Sequence, residues 1–398
     1  MIYRDLKRQI IQEARDLEEY IVQTRRHLHM HPETAYEEHK TADYIENELK
    51  NLGYDTERTA GTGILGILNN DSQGKTVALR ADIDALNITE ENDIPYRSKV
   101  PGKMHACGHD AHTAMLLGAA KILFKYRKVL SGPLKLIFQP GEEGKAGAKK
   151  IVEEGQLDNV DTIFGLHVWQ ASSSGEIATG ADGALFASSD RFTIRISGIG
   201  GHAAMPHETV DPIPVLFDIY NALQKVISRE IDPFEPVVLT MPRIVGSSAH
   251  NIIPSVGILN GTLRTLNPRV RSRILDRLQE VVVGYSRAWR CKGSVNIDPL
   301  GYPALINDKD TTKKIITILH DLDEVKPAPP SMIGEDFGFY LQRTKGVFFT
   351  LGIYNKEKGI IYPHHHPQFQ VDESVLWKGT AIYAISGLYY YFSSDFEP

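Results

Sequence analysis

The chain of 398 residues is 42% hydrophobic and 24% charged, and its formal net charge at pH 7 is −6. The negative charge argues against nucleic acid as the main partner, because phosphate binding needs a basic surface. No apolar run approaches the roughly 20 residues of a membrane-spanning helix, whereas the length suits two domains. The N-terminal segment is predicted to be an amphipathic helix and not a signal peptide. Two isolated cysteines, Cys107 and Cys291, fit a reducing compartment, so we expect a soluble cytoplasmic protein.

Strand and helix patterns alternate through the first half of the chain. Four short apolar segments are predicted as strands: "TGILGILNN", "TVALRADIDAL", "PLKLIFQP" and "DTIFGLHVW". Between them, "TADYIENELKNLG" and "HTAMLLGAAKILFKYRKVL" have helical spacing. This alternation predicts an α/β domain with a mostly parallel sheet, which binds ligands at the carboxyl ends of its strands. Five chemically active side chains fall at or just after predicted strand ends: Asp82, Asp84, Glu142, Glu143 and His167.

From about residue 190 the pattern changes. The strands "DRFTIRISG", "EPVVLTMPRIVG", "SVGILNGTLRTL" and "KGSVNIDPL" alternate with two helical segments in the order β-α-β-β-α-β. That order is typical of a ferredoxin-like domain. Helices and the strand "GVFFTLGIY" then resume. We therefore expect a catalytic domain over 1–188 and 300–398, interrupted by an inserted domain over 189–299.

The segment "MHACGHDAH", residues 104–112, crowds candidate metal ligands into nine positions. His105, Cys107 and His109 alternate, so an extended backbone would point all three in one direction. Cysteine thiolate and neutral imidazole are preferred ligands of zinc. Asp110 is expected to cap the helix that follows. A buried cysteine beside loop histidines is the alternative for this segment taken alone.

Adjacent carboxylates, Glu142 and Glu143, follow a predicted strand in "FQPGEEGKAG". On an ordinary surface such a pair is merely solvated. At the ligand edge of a sheet, one carboxylate could bind a metal while the other accepts a proton from an activated water. Asp82 and Asp84 in "RADIDAL" end another strand. They are turn-forming acceptors or carboxylates that orient a ligand or the base.

Two further segments supply histidines. His167 in "GLHVW" lies in an apolar run, where a hydrogen-bonded core histidine is the commoner case. Three consecutive histidines, His364 to His366 in "YPHHHPQF", favour exposure or metal binding. The sequence has no CxxC pair of the kind that structural zinc sites use. Ligands scattered over several strand ends, with carboxylates among them, instead favour a catalytic site that could hold two metals.

Together these segments resemble a known family of dinuclear metal amidohydrolases. It comprises bacterial and archaeal aminoacylases, thermostable carboxypeptidases and hippurate hydrolases, together with plant hydrolases of auxin–amino acid conjugates. The resemblance runs from about residue 20 to the end of the chain and implies a catalytic domain with an inserted lid and dimerisation domain. The segments that carry it are "RRHLHMHPE", "RADIDAL", "MHACGHDAHTAMLLGAAK", "FQPGEEG", "GIGGHAAMPH", "AHNIIPS", "GTLRT", "GEDF" and "YPHHHPQF".

The resemblance implies a ligand set for two divalent ions per chain, zinc with manganese or cobalt as alternatives. The family's C-terminal ligand stands two residues before a proline, which selects His365 between His364 and His366. The implied ligands are Cys107 as a bridge, His109 and His167 for one ion, and Glu143 and His365 for the other.

The resemblance also implies roles around the metals. Glu142 would be the general base and acid, and Asp84 would support the metal centre. His202 would stabilise the oxyanion from its own or a partner subunit. Asn251 and Arg264 would hold the free carboxylate of the substrate, a task suited to arginine's planar fork.

The sequence departs from the family at two positions near the site. Asn87 stands where many relatives have proline, and Gly141 where alanine is frequent. Neither departure removes a ligand, but both bear on the local backbone around Asp84 and Glu142.

The expected reaction is hydrolysis of an amide bond next to a free carboxylate, in N-acyl amino acids or at the C-terminal residue of peptides. A metal-activated water would attack and Glu142 would take its proton. The expected partners are this small substrate and further copies of the chain, as a homodimer or homotetramer through the inserted domain. Two alternatives remain: a thiol hydrolase with Cys107 as nucleophile and His109 or His105 as base, and a metal-binding homologue without catalysis.

Overall fold

The computed structural model describes residues 2–180 and 182–393, with residues 2 and 3 described by their backbone alone. The chain divides into two compact units. The first unit comprises Met1–Asp182, Asn307–Pro329 and Asp336–Pro398. The second comprises Gly183–Ile306 and Pro330–Glu335. The second unit is therefore built mainly from a segment that interrupts the first in sequence.

The first unit opens with helices and continues as alternating strands and helices. Its elements up to residue 180 are α1 (Ile2–Asp16), α2 (Glu18–Met30), α3 (His39–Leu52), β1 (Asp55–Thr59), β2 (Gly63–Leu68), β3 (Val77–Asp82), α4 (His109–Lys125), β4 (Leu134–Gln139), α5 (Glu142–Lys145), α6 (Gly147–Glu153), β5 (Thr162–Ser173) and β6 (Ile177–Thr179).

The second unit and the return to the first follow in chain order. The elements of the second unit are β7 (Ala184–Phe186), β8 (Ser188–Ser197), β9 (Gly201–His202), α7 (Pro212–Glu230), β10 (Val237–Val245), β11 (Ile252–Ile253), β12 (Val256–Thr265), α8 (Pro268–Ala288), β13 (Lys292–Ile297) and β14 (Leu305–Ile306). The first unit then ends with α9 (Lys309–Leu319), β15 (Val325–Pro327), α10 (Gly338–Leu341), β16 (Lys345–Tyr354), α11 (Leu376–Gly387) and α12 (Tyr389–Ser393).

An eight-stranded mixed sheet forms the centre of the first unit, in the order β1-β2-β4-β3-β5-β16-β6-β15. Its middle strands β4, β3, β5 and β16 run parallel to one another. Strands β1, β2 and β6 pair antiparallel nearer the edges. All six residues of β3 are buried, as expected for a strand with both faces covered. The α/β fold with a parallel sheet at its centre is confirmed.

One strand is longer than the sequence indicated. His167 was expected at a strand end, but it lies in the middle of β5, which continues to Ser173. The strand extends because β16 pairs with it in parallel, with Thr350 opposite His167 and Tyr354 opposite Ser173. His167 therefore reaches the carboxyl edge of the sheet through its side chain and not through a following loop.

The second unit contains a four-stranded antiparallel sheet in the order β10-β12-β8-β13. Its strands and the helices α7 and α8 follow the predicted β-α-β-β-α-β order. Each helix begins at a proline after a side chain that accepts from a backbone amide, Asp211 for α7 and Asn267 for α8, which favours initiation there. Alternate residues of β8, including Phe192 and Ile194, are buried in a cluster with residues of both helices.

No helix in the described part of the chain is long and apolar enough to cross a membrane.

Candidate metal centre

The candidate site of the first unit lies at the carboxyl ends of the central strands. Strand β3 delivers Asp82 as its last residue, with Asp84 two residues on. Helix α4 begins at His109, and the short turn α5 begins at Glu142 just after β4. This is the edge at which parallel sheets bind ligands.

A glycine turn separates the two ligand candidates of "MHACGHDAH". Gly108 has φ +91°, and a Cβ atom there would overlap the side chain of Val168, so only glycine fits without strain. The turn ends the loop at Cys107 and starts α4 at His109. The expectation that an extended backbone would point His105 the same way was wrong. The ring of His105 is buried instead near His29, with a ring-centroid distance of 6.4 Å.

Hydrogen bonds define the tautomers of two histidines. His109 Nδ1 lies 2.9 Å from the backbone oxygen of Asp84, and His167 Nδ1 lies 2.6 Å from the backbone oxygen of Val168. A carbonyl oxygen only accepts, so both Nδ1 atoms carry the proton. Because burial lowers the pKa of His167, its Nε2 atom is unprotonated and offers a lone pair, as a metal ligand must. His109 Nε2 is buried without a hydrogen-bond partner.

Two groups of candidate ligands share one cysteine. The ligand atoms of Cys107, His109 and His167 lie within 4.8 Å of one another. Those of Cys107, Glu143 and His365 satisfy the same limit. Cys107 Sγ is 3.4 Å from His167 Nε2, and His365 Nε2 is 3.1 Å from Glu143 Oε1. The structure thus brings all five predicted ligands together, with Cys107 common to both groups.

Asp84 holds the two glutamates in place through their backbone. Its Oδ1 accepts from the amide of Glu142 at 3.1 Å and its Oδ2 from the amide of Glu143 at 3.0 Å. The Glu142 carboxylate lies within 4.8 Å of ligand atoms of His109 and Glu143. Gly141 has φ +62°, which glycine adopts freely. The glycine at this departure from the family therefore suits the backbone that the turn requires.

The three consecutive histidines have different surroundings. His364 Nε2 accepts from the amide of Gln170 at 3.2 Å, and the residue is half-buried. His366 Nδ1 accepts from the amide of Gln368 at 3.0 Å. The middle residue, His365, has φ +67° and faces Glu143.

A buried carboxylate–histidine pair next to the ligands, Asp82 with His112, was missed in the sequence motifs. Asp82 Oδ1 lies 2.5 Å from His112 Nδ1, and His112 Nε2 accepts from the amide of Val168 at 2.9 Å. Asp82 also lies 2.9 Å from Arg80. The spacing of the two histidines could have indicated this pair, because His112 follows His109 by three residues and lies on the same face of the helix.

A second buried network was also missed. Asp110 was expected to cap α4, but its carboxylate contacts the side chains of Arg25 at 2.9 Å and His29 at 2.8 Å. The second nitrogen of His29 lies 3.1 Å from Glu90. Because α2 packs against α4 and supplies these cations, the carboxylate is used for tertiary contacts and not for its own helix end. The motif "RRHLHMHPE" therefore has a structural role here, through Arg25 and His29.

The electrostatics of the site suit a bound cation. Burial raises the pKa of the Cys107 thiol well above its ordinary value, and the carboxylates of Glu143, Glu142 and Asp82 raise it further. Burial and the neighbouring histidines lower the pKa of His167, so its imidazole is neutral. A thiol, imidazoles and carboxylates that meet at one place fit a divalent metal with an affinity for sulfur and nitrogen, which would ionise the thiol.

Three predicted residues lie in the second unit. His202 pairs with Ile252 in the β9–β11 ladder, and the backbone oxygen of Asn251 accepts from the amide of Ala203 at 3.0 Å. His202 and Asn251 line one open cavity of about 780 Å³. Arg264 lies near the other end of the unit's main sheet, on β12 opposite Ser189. The structure therefore groups His202 with Asn251 and separates Arg264 from them.

Residues 78–385 match the model of peptidase family M20/M25/M40. The chain belongs to this family. It is 39% identical over 385 residues to thermostable carboxypeptidase 1 of Saccharolobus solfataricus, covering 96% of this chain and 98% of that protein. It is 40% identical over 371 residues to N-acetyl-L-cysteine deacetylase of Bacillus subtilis, covering 92% and 86%.

The fold has a solved counterpart in the same family. The crystal structure of the Bacillus subtilis YXEP protein, a dinuclear metal-binding peptidase, superimposes with a TM-score of 0.83 at 30% identity. The superposition covers 95% of this chain and 99% of that one. The resemblance drawn from the sequence motifs is confirmed, and the chain is a metal-dependent hydrolase of this family.

Proposed function

We propose that the enzyme hydrolyses the amide bond of N-acyl amino acids, or the last peptide bond of short peptides, when the released residue has a free carboxylate. The observation that carries this proposal is the pair of ligand groups that share Cys107, with Glu142 beside them. Relatives named as a thermostable carboxypeptidase and as an N-acetyl-L-cysteine deacetylase support the substrate class.

We assign the two metal ions to the five clustered side chains. Cys107 would bridge them, His109 and His167 would hold one ion, and Glu143 and His365 the other. Bound there, the ions would polarise the substrate carbonyl and lower the pKa of a water molecule. The thiolate and imidazole donors favour zinc, with manganese and cobalt as alternatives.

Glu142 is the proposed general base and acid. Its carboxylate is within 4.8 Å of ligand atoms of His109 and Glu143, and Asp84 fixes its backbone. It would take the proton of the attacking water and deliver it to the nitrogen of the leaving amine. Asp84 is a positioning residue, because its contacts are with the ligand His109 and with the turn that carries Glu142.

Arg264 is the proposed anchor of the substrate carboxylate, with Asn251 of a second copy of the chain as a further donor. The Arg264 guanidinium is half-buried, and it has no carboxylate partner among the described residues. Burial lowers its pKa, and the nearby Arg191 lowers it further. An unpaired cation in this position would gain from an anionic ligand.

We further propose a homodimer in which His202 acts on the partner's substrate. Strand β12 connects the two functional ends of the second unit. Val256 lies at the end near His202, and Arg264 follows it by eight residues along the strand. That is about 27 Å at the rise of a strand, too far for both residues of one chain to contact one small substrate. Two free cysteines support a reducing compartment, so we propose a cytoplasmic enzyme.

The thiol-hydrolase alternative is disfavoured by the surroundings of Cys107. A nucleophilic cysteine needs an electropositive environment that lowers its pKa. Burial and three carboxylates raise the pKa of this thiol instead. The complete ligand set with Glu142 likewise gives no support to a catalytically silent homologue.

Elemental analysis of metal per chain, after purification without chelators and reloading, tests the metal centre. We expect about two equivalents in the native chain and about one in Cys107→Ala. Cys291→Ala is the matched control, since this cysteine lies in the second unit, and it should retain both. Hydrolysis of N-acetyl-L-methionine is assayed in parallel. No metal after reloading, or activity that survives chelation but not alkylation, would overturn the proposal.

A further inference from the structure

The sheet of the second unit has one face that the helices α7 and α8 leave open. Residues opposite one another in an antiparallel pair share a face, and the register of β8 with its neighbours defines this one. Within their described lengths the four strands direct no carboxylate to it, although the whole chain is acidic. The basic residues on the open face are Arg191, Arg195, Arg243, Arg264 and Lys292.

A cavity of about 390 Å³ lies on this face. A β-bulge between Thr240 and Arg243 brings Pro242 to its wall, as bulges do when they redirect side chains. Its polar lining consists of Arg191, Thr193, Asn260, Thr262, Asn296 and Asp298.

Arg191 lines this cavity, and Arg264 stands beside it on the neighbouring strand. Arg264 lies opposite Ser189 and Arg191 opposite Thr262, so they are diagonal neighbours about 7–8 Å apart at the backbone. The nearby Asp190 is engaged on the helix side, where both its oxygens accept from Arg271, at 2.8 and 2.7 Å. Among the described residues neither arginine forms an ion pair, and like charges this close repel unless an anion lies between them.

The one acidic residue of the cavity is already engaged. Asp298 Oδ1 accepts from the amide of Leu300 at 2.9 Å, which holds the turn after β13. Set against Arg191 and Arg264 together, its single negative charge leaves one positive charge in excess. The neutral lining residues, such as Asn296, can donate hydrogen bonds to an anionic oxygen.

We propose that the cavity binds a second carboxylate of the substrate, so that the enzyme prefers to release acidic amino acids. This inference rests on the proposed function, in which Arg264 holds the α-carboxylate of the leaving residue. Arg191 then meets the side-chain carboxylate, while Thr262, which lies opposite Arg191 on the neighbouring strand, adjoins both arginines. Arg191 is thus a specificity-determining residue.

The kinetic test compares N-acetyl-L-glutamate with N-acetyl-L-glutamine, which have the same shape and differ in charge. We expect kcat/KM of the native enzyme to favour the acidic substrate at least about tenfold, mostly through KM. Arg191→Gln should reduce this ratio to within about threefold of one. Arg195→Gln, on the same strand and face but outside the cavity, should leave it unchanged. A native ratio near one, or a ratio that Arg191→Gln does not alter, would overturn the inference.

A binding measurement separates this inference from the proposed function. If the enzyme hydrolyses no N-acyl amino acid, including N-acetyl-L-methionine, the proposed function fails, and calorimetric titration still tests the cavity. Glutarate should bind at least about tenfold more tightly than butyrate to the native protein but not to Arg191→Gln. Equal affinity for glutarate and butyrate, or for glutarate and inorganic phosphate, would contradict a site built for a dicarboxylate.

Discussion

Asp84 organises the proposed catalytic residues from a single buried position. One oxygen accepts from the amide of Glu142 and the other from that of Glu143. Its backbone oxygen and Oδ1 also lie 2.9 and 3.2 Å from His109 Nδ1. Because both oxygens of this buried carboxylate form hydrogen bonds, it holds the ligand His109 and the base Glu142 in one orientation. The positions of Glu142 and His109 are therefore not independent.

Glu142→Gln should separate metal binding from turnover. The amide has the shape of the carboxylate but cannot take a proton, so we expect about two metal ions per chain with kcat reduced at least about 10²-fold. Metal content and N-acetyl-L-methionine hydrolysis are measured on the same preparation. Glu153→Gln, at an exposed position of α6, is the control and should retain full activity. Near-normal turnover in Glu142→Gln would refute its role as base.

Glu38 supports the same turn from the other side. Its Oε1 accepts from the amide of Gly141 at 3.0 Å and its Oε2 from the hydroxyl of Thr62 at 2.6 Å. Burial and the charge of Asp84 raise the pKa of Glu38 to about 7 from the usual 4.5. The folded protein therefore keeps this proton at a pH where the unfolded chain has lost it.

Glu38→Gln should flatten the pH dependence of stability. A raised pKa contributes stability that is fully present below the unfolded value of 4.5 and lost as pH rises through about 7. The difference is worth at most about 3 kcal/mol. Chemical unfolding at pH 5 and pH 8 should show the variant gaining stability relative to the native protein at the higher pH. Glu324→Gln, on the surface, is the control and should have the unfolding free energy of the native protein at both pH values. If the unfolding free energy of Glu38→Gln falls from pH 5 to pH 8 as much as that of the native protein, the assignment is refuted.

At the scale of elements, close backbone packing positions the glutamate turn. A Cβ atom on Gly147, the first residue of α6, would overlap the carbonyl oxygen of Pro140 at the end of β4. The amide of Gly147 also donates to the backbone oxygen of Gly141 at 3.1 Å. Strand β4, the turn α5 and helix α6 are thereby closed into one loop that presents Glu142 and Glu143.

Gly147→Ala should open this loop. The added methyl group collides with backbone, which cannot move aside as a flexible side chain can, so we expect a loss of about 1–3 kcal/mol in unfolding free energy. Metal per chain should fall as well, because Glu143 moves with the loop. Gly284→Ala is the matched control. Gly284 lies in helix α8 with open space around it, so alanine there should raise the unfolding free energy by up to about 1 kcal/mol. Equal stability of Gly147→Ala and the native protein would contradict this packing argument.

At the scale of the whole molecule, the proposed dimer distributes one function over two chains. His202 and Asn251 belong to one end of the second unit, and Arg264 to the other end of its sheet. If each substrate meets Arg264 of one chain and His202 of its partner, inactive variants can complement each other.

Mixing His202→Ala with Arg264→Ala should restore activity. Random re-pairing after mild dissociation makes about half of the dimers heterodimers, and each heterodimer has one intact site of its two. The mixture should therefore show about a quarter of the native activity. His202→Ala mixed with Asn251→Ala is the control, because both residues come from the same end and every site remains defective. Absence of recovery in the first mixture, with subunit exchange verified, would refute the shared site.

The sequence predicted the local and the chemical features of the molecule well. The runs of β2, β3 and β4 and the helices α7 and α8 were recognisable from periodicity alone. The five clustered ligand candidates were found because thiol, imidazole and carboxylate groups stood in motifs that resemble those of a known family. His105 and Asp110 were misjudged, because their directions depend on the turn at Gly108 and on cations supplied by α2.

The order and type of the residues by themselves determined which chemistry is available: a thiol, imidazoles and paired glutamates in an α/β chain. Their spacing in sequence could not say which atoms meet. The family resemblance had already singled out Cys107 as a shared ligand and His365 among the three histidines. Only the tertiary structure decided that the atoms of both ligand groups lie close together, that His105 is packed near His29 instead, and that Arg191 stands beside Arg264. The physical reason is that these contacts depend on strand register and on buried hydrogen bonds between segments far apart in the chain, which local periodicity does not encode.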